Sequence, residues 1–455
     1  MLNDAFLNSI SSSDWVSMDS GLLLQNQRDS MVSPQPKSQI RAVAPLEQNE
    51  ISPLSRYDLL NIGELNIDRP LISGSRLELN PNQSLIKKTI SENYDELTGL
   101  NQNESWLTLS AKPKLDAPAK RSASGKRAAA RLTAESFDPV TGYGLVNAAK
   151  AVAKTTNAST FAKVANLGRN SWGLDAVSAP EVWAKGFTGQ GITVAVIDSG
   201  VDTTHPDLRE NIWINSDEAA GDGIDNDANG YVDDVNGWNF GIGQNNANVS
   251  PGTNDPGQGH GTHVAGTIAA KRNGVGNTGV APDAKIMVLR LGDVSGGQFV
   301  NGGSLAQAIR YAVDNGARVI NMSLSSSDSP QLQSALAYAA SRNVITVSAA
   351  GNEGSPTPEA PARYATQYGL SVGAVNRDRS VARFSNRAGL NRQLQHVLAP
   401  GVQIYSTLPG NSYGFLSGTS MAAPHVAGVV ALMLNANPNL THNQVRQIMA
   451  QTAEA

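Results

Sequence analysis

The 455-residue chain contains no cysteine. A disulfide framework, a thiol nucleophile and a cysteine-ligated zinc are therefore excluded, and the absence itself fits either redox setting. Aromatic residues make up only 5% and charged residues 16%, and the net charge is −4. So weak a charge gives no bulk attraction to nucleic acid, and no such partner is expected. No apolar run in the sequence approaches the roughly 20 residues needed to span a bilayer. Residues 1–20 lack a basic start followed by an apolar core, so no secretory signal peptide is read there. What is present is 40% apolar content, enough for a substantial core, and 43 glycines, which imply many tight turns.

The chain changes character along its length. Residues 1–110 are rich in Ser, Asn, Gln and Leu without a sustained period of 2 or 3.6, and are expected to be poorly ordered. Ser84–Thr98 is the best helix candidate there. Lys112, Lys114, Lys120, Arg121, Lys126, Arg127 and Arg131 follow among Ala, Pro and Ser. Such a basic stretch reads as a solvated linker or as a nucleic-acid or membrane contact, and it is an easy site for nicking. From Gly191 onward strand-like apolar runs alternate with helical periods. The strands fall at Ile192–Ile197, Ile286–Leu291, Val319–Leu324, Val344–Ala349, Leu370–Val375 and His396–Ala399. The helices fall at His263–Ala270, Ser304–Asp314, Pro330–Ser341, Ser420–Asn435 and Thr441–Thr452. This pattern predicts an α/β fold of three layers, a mostly parallel sheet with helices on both faces. Ligands of such sheets bind at the carboxyl ends of the strands.

Three glycine-marked stretches bring an acid, an imidazole and a hydroxyl to element ends. Asp198 closes the run Ile192–Ile197, and a buried acid there needs a partner such as a histidine N–H, or else merely caps a turn. His260 opens a helix through Gly261-Thr-His263-Val-Ala-Gly266. His263 reads as a packed histidine, and a zinc site is disfavoured because the glutamate of a His-Glu pattern is missing. Ser420 opens the helix running to Leu434, with Pro424 expected in its first turn. Free N–H groups at a helix start favour the negative charge of an oxyanion, whereas an isolated serine there is commonly an N-cap. Asn352, in Gly351-Asn-Glu-Gly354 after a strand, is placed to donate its amide to such an oxyanion.

These segments together resemble the subtilisin-like serine peptidases, the subtilases, over roughly residues 170–452. The match rests on Asp198-Ser-Gly, His260-Gly-Thr-His, Asn321-Met-Ser-Leu324, Gly351-Asn-Glu-Gly354 and Gly418-Thr-Ser-Met-Ala-Ala-Pro-His425. The order Asp, His, Ser is the one already known for subtilisin, so it counts as a match to the family. The resemblance implies Asp198, His260 and Ser420 as a catalytic triad, with Asn352 and the Ser420 N–H as oxyanion hole. It also implies a peptide lying extended against Ser323, Leu324 and Ser325, with the loop around Gly292–Gly297 on its other side. Ser325 stands where the family usually has glycine.

The departures from the family pattern are informative. Subtilases usually end in Gly-Tyr-Gly-x-Val-Asn-Ala, and this chain instead carries Gly142-Tyr-Gly-Leu-Val-Asn147-Ala ahead of the catalytic segments. Leu145, Val146, Ala149 and Val152 give a plausible apolar helix face. The expected organisation is a poorly ordered region and basic linker at 1–131 and a peptidase domain at 132–455. Within that domain, 132–155 is a permuted closing segment, 156–170 a linker able to reach roughly 50 Å, and 171–455 the core. The other reading is a remnant of an upstream domain that packs elsewhere.

An acidic loop offers oxygen ligands at alternating positions: Asp222, Asp225, Asp227, Asn229, Tyr231, Asp233 and Asp234. With Gly230 it mimics the start of a calcium loop, although Asn236 replaces the closing glutamate of an EF-hand. So many carboxylates repel without a cation, and Ca²⁺ is the expected cofactor, the other reading being a merely solvated acidic loop. The resemblance implies a second calcium set of Asp207, Lys271, Asn273, Val275 and Asn277, without the expected glutamine near Gly168. By the same resemblance Glu353 follows the oxyanion Asn and Glu359 aligns near the base of the first specificity pocket, where two acids would favour Arg or Lys before the scissile bond; the other reading is a Glu359 that points to the surface. The expected partners are protein or peptide substrates, with no membrane span and a monomeric state. A catalytically silent binding module is a competing class, disfavoured because no triad or oxyanion residue is lost. A dedicated precursor-processing peptidase is another, separable by whether casein is digested. Location stays open, with calcium leaning towards an extracytoplasmic or secreted setting.

Overall fold

A computed structural model describes residues 137–241, 243–252, 259–292 and 300–454. Residues 1–131, including the Ser84–Thr98 helix expectation, and most of the Gly292–Gly297 loop lie outside the described residues. Among the described residues, seven parallel strands form one sheet: β1 (Thr193–Asp198), β2 (Gly237–Asn239), β3 (Lys285–Arg290), β4 (Val319–Met322), β5 (Ile345–Ala349), β6 (Leu370–Val375) and β7 (His396–Pro400). Their order is β2-β3-β1-β4-β5-β6-β7. A short antiparallel hairpin, β8 (Ile404–Leu408) with β9 (Ser412–Leu416), stands beside it.

Alternation along β1 shows why the fold has three layers. Val194 and Val196 join one buried cluster, and Ala195 and Ile197 join another on the opposite face. The first cluster takes in α1 (Ala148–Thr155), α4 (His260–Ala269) and α7 (Thr419–Ala436), together with the short helices α2 (Trp172–Ala176) and α3 (Ala179–Trp183). The second takes in α5 (Gly302–Asp314) and α6 (Pro330–Ser341). The expected α/β fold is thus the one observed.

Helix starts follow their capping residues. Ser329 accepts from the Leu332 N–H and Pro330 opens α6. Thr441 and Gln444 form a reciprocal capping box ahead of α8 (His442–Thr452). Helix α7 is apolar on nearly every side, and it is long and apolar enough to cross a membrane, contrary to the reading of the bare sequence. It is 83% buried within the domain, where it forms the central core helix.

Pro424 also departs from expectation. Helix α7 begins at Thr419, which puts Pro424 in the helix interior and not in the first turn. A proline there deprives the carbonyl four residues back, Ser420, of its usual N–H donor.

The front segment runs along β7. Tyr143 N–H donates to the His396 carbonyl at 2.9 Å, Leu398 N–H to Gly144 at 2.8 Å and Val146 N–H to Leu398 at 3.0 Å. Leu145 exchanges two 2.7 Å bonds with Glu454, just past α8. Leu145 and Val146 are therefore extended, not helical as their spacing suggested, and helix α1 starts after the Asn147 cap. Val146, Ala149 and Val152 are buried in the same cluster as α7 and α8.

Candidate active site

The carboxyl edge of the sheet gathers the chemistry. Strand β1 delivers Asp198, 1% exposed, to that edge. Its Oδ1 accepts from the Ser199 N–H at 2.8 Å and from His260 Nδ1 at 2.8 Å. Helix α4 comes this close because Gly261 follows His260: a Cβ there would lie 2.3 Å from the Gly200 carbonyl. Burial pulls the His260 pKa down, but the Asp198 charge and hydrogen bond outweigh it and hold the imidazole above its ordinary value. With Nδ1 engaged by the carboxylate, Nε2 is the ring nitrogen left for proton transfer. His263, by contrast, is fully buried, its Nε2 2.9 Å from the Ile404 carbonyl, and burial lowers its pKa to about 4. It is a packed histidine.

Strand β4 lies directly beside β1 and carries the next residues to the same edge. Ser323 Oγ donates to the Ser420 carbonyl at 2.7 Å, the acceptor that Pro424 leaves without its helical partner. In return, Ser420 Oγ donates to the Ser323 carbonyl at 3.2 Å. Among the described residues Ser420 Oγ makes no hydrogen bond to His260; the apo hydroxyl points to Ser323. Such bonds commonly tighten only around substrate. The Ser420 N–H lies in the first turn of α7, where no intrahelical acceptor exists.

Asn352, just beyond β5, has its amide orientation fixed by α7. Its Oδ1 accepts from the Thr419 N–H at 2.8 Å and from the Thr419 hydroxyl at 3.0 Å. The Thr419 N–H can only donate, so the oxygen must face Thr419 and the Nδ2 donor must face away. That nitrogen makes no hydrogen bond among the described residues. Thr419 is a positioning residue that sequence reading missed, and its place beside Ser420 was the available signal.

The substrate-side residues are mixed. Ser323 and Leu324 are buried, and the Ser325 carbonyl is already taken by the Val300 N–H at 3.1 Å. Glu353 Oε2 accepts from Asn386 Nδ2 at 3.0 Å, so this acid braces its own loop. Glu359 is half-buried and its N–H is tied to the Ala350 carbonyl at 3.1 Å. Its carboxylate makes no ion pair among the described residues, and nearby Arg363 pairs instead with Asp328 at 2.8 Å.

The acidic loop divides into two groups. Asp222, Asp225 and Asp233 accept loop N–H groups: Ile224 to Asp222, Gly230 and Asn229 to Asp225, Gly221 and Gly223 to Asp233. They shape turns, as Glu218 also does by accepting the Asn226, Asp227 and Asp233 N–H groups. Tyr231 puts its ring among Trp238, Phe240 and Tyr311, so its side chain is no ligand. Asn229 Nδ2 donates to Asp227 at 2.9 Å and to Asp234 at 3.0 Å. Asp227 and the fully buried Asp234 converge with Glu218, one oxygen of each lying within 4.8 Å of the others. Glu218 was missed because it precedes the recognisable loop pattern. The neighbours of Asp227 and Asp234 are neutral donors, Asn215, Asn229 and Tyr311. A cluster of carboxylate oxygens with no side-chain cation paired to it among the described residues suits a hard cation.

Of the second expected calcium set, which the resemblance builds from Asp207, the Asn273 side chain and backbone carbonyls of the 271–277 loop, Asp207 and Asn273 lie in direct contact. Asp207 gives Oδ1 to Asn273 Nδ2 and Oδ2 to the Tyr413 hydroxyl, both at 2.8 Å. Asn273 Oδ1 accepts from the Val275 N–H at 2.9 Å, and the Lys271 carbonyl takes the Asn273 N–H at 3.1 Å. Asn277 Nδ2 donates to the Gly266 carbonyl at 3.2 Å, while Lys271 Nζ pairs with Glu210.

The subtilase family matches over residues 189–455. The M-protease of Shouchella clausii (strain KSM-K16) is 40% identical over 284 residues, covering 62% of this chain and 64% of that protein. Subtilisin Savinase of Lederbergia lenta is 40% identical over 284 residues, covering 62% of this chain and 90% of the relative. Subtilisin E of Bacillus subtilis (strain 168) is 38% identical over 289 residues, covering 62% of this chain and 65% of the relative.

Proposed function

The chain belongs to the subtilase family, and from that premise we propose that it is a serine endopeptidase with Asp198, His260 and Ser420 as its triad. The observation that carries the reading is the 2.8 Å bond from His260 to Asp198 at the sheet edge, with Ser420, at a helix start, tied through Ser323 to the end of the neighbouring strand β4. Ser420 Oγ turns from Ser323 and attacks the substrate carbonyl carbon as His260 Nε2 takes its proton. Asp198 keeps the ring oriented and stabilises the imidazolium. The oxyanion receives hydrogen bonds from Asn352 Nδ2 and the Ser420 N–H. His260 then protonates the leaving amine, and water hydrolyses the acyl-enzyme by the same route reversed.

Glu359 is proposed to favour Arg or Lys before the scissile bond, because its carboxylate is half-buried and unneutralised by Arg363. Glu218, Asp227 and Asp234 are proposed to hold Ca²⁺, which would supply structural cross-linking and not chemistry. Residues 132–155 are proposed to be a permuted closing segment joined by the 156–170 linker to the core, in support of which stand the Tyr143–Val146 bonds to β7.

The deciding experiment is reaction of the intact chain with a serine-directed phosphonate, followed by mapping of the modified residue. Labelling of Ser420 that is lost in Ser420→Ala is expected. Labelling elsewhere, or none alongside hydrolysis of casein, would overturn the triad assignment. A peptide library that releases Phe and Arg substrates equally would sink the role given to Glu359.

A further inference from the structure

The amide donor of Asn352 serves an oxyanion only if the backbone beneath it stays in place. Asn352 is exposed, stands on a loop past the end of β5, and its own N–H and C=O make no hydrogen bond among the described residues. The contacts of its Oδ1 with Thr419 fix which way the amide faces. They do not fix the chain on either side of it. Loop backbone has no ladder of its own, so its polar groups must be met by something else.

One side chain from the connection between β6 and β7 meets them. Asn386 is fully buried. Its Nδ2 donates to the Ala350 carbonyl and to Glu353 Oε2, both at 3.0 Å. Its Oδ1 accepts from the Glu353 N–H at 3.1 Å and the Ser355 N–H at 2.8 Å. A carboxamide has two donors and two acceptor lone pairs, and here every one is used. The two backbone N–H groups can only donate, which sets the orientation of the amide. These partners flank Asn352 on both sides in the chain. The Asn386 N–H adds a bond to the Gly351 carbonyl at 3.0 Å. Space is used as fully: Gly351 has φ +106°, and a Cβ there would lie 2.3 Å from Asn386 Nδ2. Asn386 is itself moored to the sheet, because Ser385 Oγ accepts from the Ala374 N–H of β6 at 3.0 Å and donates to the Asn386 carbonyl at 3.1 Å.

We propose that Asn386 is the positioning residue of the oxyanion hole, a role that rests on the peptidase reading and on Asn352 as its donor. Asn386 does not meet substrate. It holds residues 350–355 so that Asn352 Nδ2 is aimed before the oxyanion forms, and the hole needs no rearrangement during the reaction. The isosteric change Asn386→Asp keeps both acceptors. It turns the two donors into lone pairs that face the Ala350 carbonyl and the Glu353 carboxylate, and like charges repel there.

The test is a double-mutant cycle on steady-state kinetics of the full chain, with urea unfolding followed on the same proteins. Asn386→Asp alone should lower kcat roughly ten- to a hundredfold and leave KM within about twofold, because the misplaced donor acts only in the transition state. In an Asn352→Ala background the same substitution should lower kcat by less than about threefold, since the donor it positions is already gone. A merely structural residue would cost the same in both backgrounds. Equal losses therefore overturn the proposal, as does a single variant whose loss lies wholly in KM or in stability. Asn386→Ser, which keeps one donor and an acceptor in a smaller side chain, carries the same cycle should Asn386→Asp not fold. An active chain with equal losses overturns this proposal alone. A chain that hydrolyses no peptide, or an Asn352→Ala chain with unaltered kcat, overturns the reading beneath it and the proposal together.

Discussion

Ser323 and Ser420 hold each other by two reciprocal hydrogen bonds, hydroxyl to carbonyl in both directions, at 2.7 and 3.2 Å. The shorter bond replaces the donor that Pro424 removes from α7, so a strand-end residue completes the helix that carries the nucleophile. Ser323→Ala leaves the Ser420 carbonyl and Asn321 Nδ2 without this partner. A loss of about 1–3 kcal/mol in unfolding free energy is expected by urea titration. With the nucleophile less well fixed, kcat should fall roughly ten- to a hundredfold while KM changes little. Ser323→Thr, which keeps the hydroxyl, should recover most of both.

Asn352 allows its two roles to be separated. Its oxygen positions Thr419 and its nitrogen faces the site. Asn352→Ala should lower kcat by about 10²–10³. Asn352→Asp keeps an acceptor for Thr419 and loses the donor, so it should be at least as inactive as the alanine variant and closer to wild type in stability. Steady-state kinetics beside denaturant unfolding would show the split.

How much of this was readable beforehand depended on range. Strands β1 and β3 are near-continuous apolar runs, and β5 and β6 interrupt theirs only with small residues, Thr346, Ser348, Ser371 and Gly373, so all four were legible because both faces of a parallel sheet are buried. Strand β2, only three residues long, and the β8–β9 hairpin carry no such run and went unread. Asp198, His260, Asn352 and Ser420 sit in glycine-marked turns that give them away. The Ser323–Pro424 relationship is tertiary, as is the capture of Asp207 by Tyr413, 206 residues distant. Leu145 was misread as helical because local spacing cannot show that β7 waits alongside it. Glu218 lacked any motif of its own.

The pH profile should carry two opposite signatures. His260 has its pKa raised, so its protonated form favours the fold below the ordinary value near 6.5, and that contribution is lost as pH rises through the raised value. Activity requires the neutral ring, so kcat/KM should climb through this same raised pKa. In Asp198→Asn, burial acts without the carboxylate, so the acid limb should move to lower pH while the rate falls about 10⁴-fold. His263, His425 and His442 are instead lowered to about 4, and His396 to about 3, each by burial. Their neutral forms are at home in the fold, so stability should be full above about 6.5. It should drain away as pH falls from there towards 4 and 3. Unfolding free energies at several pH values, set beside the rate profile, would reveal both.

Calcium dependence should report on Glu218, Asp227 and Asp234 together. If the ion binds only the folded chain, calcium at a hundredfold above its dissociation constant stabilises by about 2.7 kcal/mol. A drop of roughly 4 °C in melting temperature on chelation is expected for a domain of this size. Glu218→Gln should abolish most of that response. Asp222→Asn, altering an acid that only shapes the loop, should lower stability slightly and leave the calcium response in place. Melting in calcium and in chelator compares all three proteins directly.

The front segment offers the sharpest test of the chain's organisation. Removing residues 132–155 strips β7 of its Tyr143, Gly144 and Val146 partners and uncovers the face of α7 and α8 on which Val146, Ala149 and Val152 lie. Several buried aliphatic side chains would meet water at about 1.5–3 kcal/mol for the larger ones, more than a domain of marginal stability tolerates. The truncated chain should therefore fail to fold by circular dichroism and hydrolyse nothing. Returning the segment to the other end, fused after Ala455 through a short flexible linker, should restore folding, because Leu145 already exchanges both backbone bonds with Glu454. A truncation that stays folded and active would show that β7 and α8 need no cover, and the closing role of this segment would have to be abandoned.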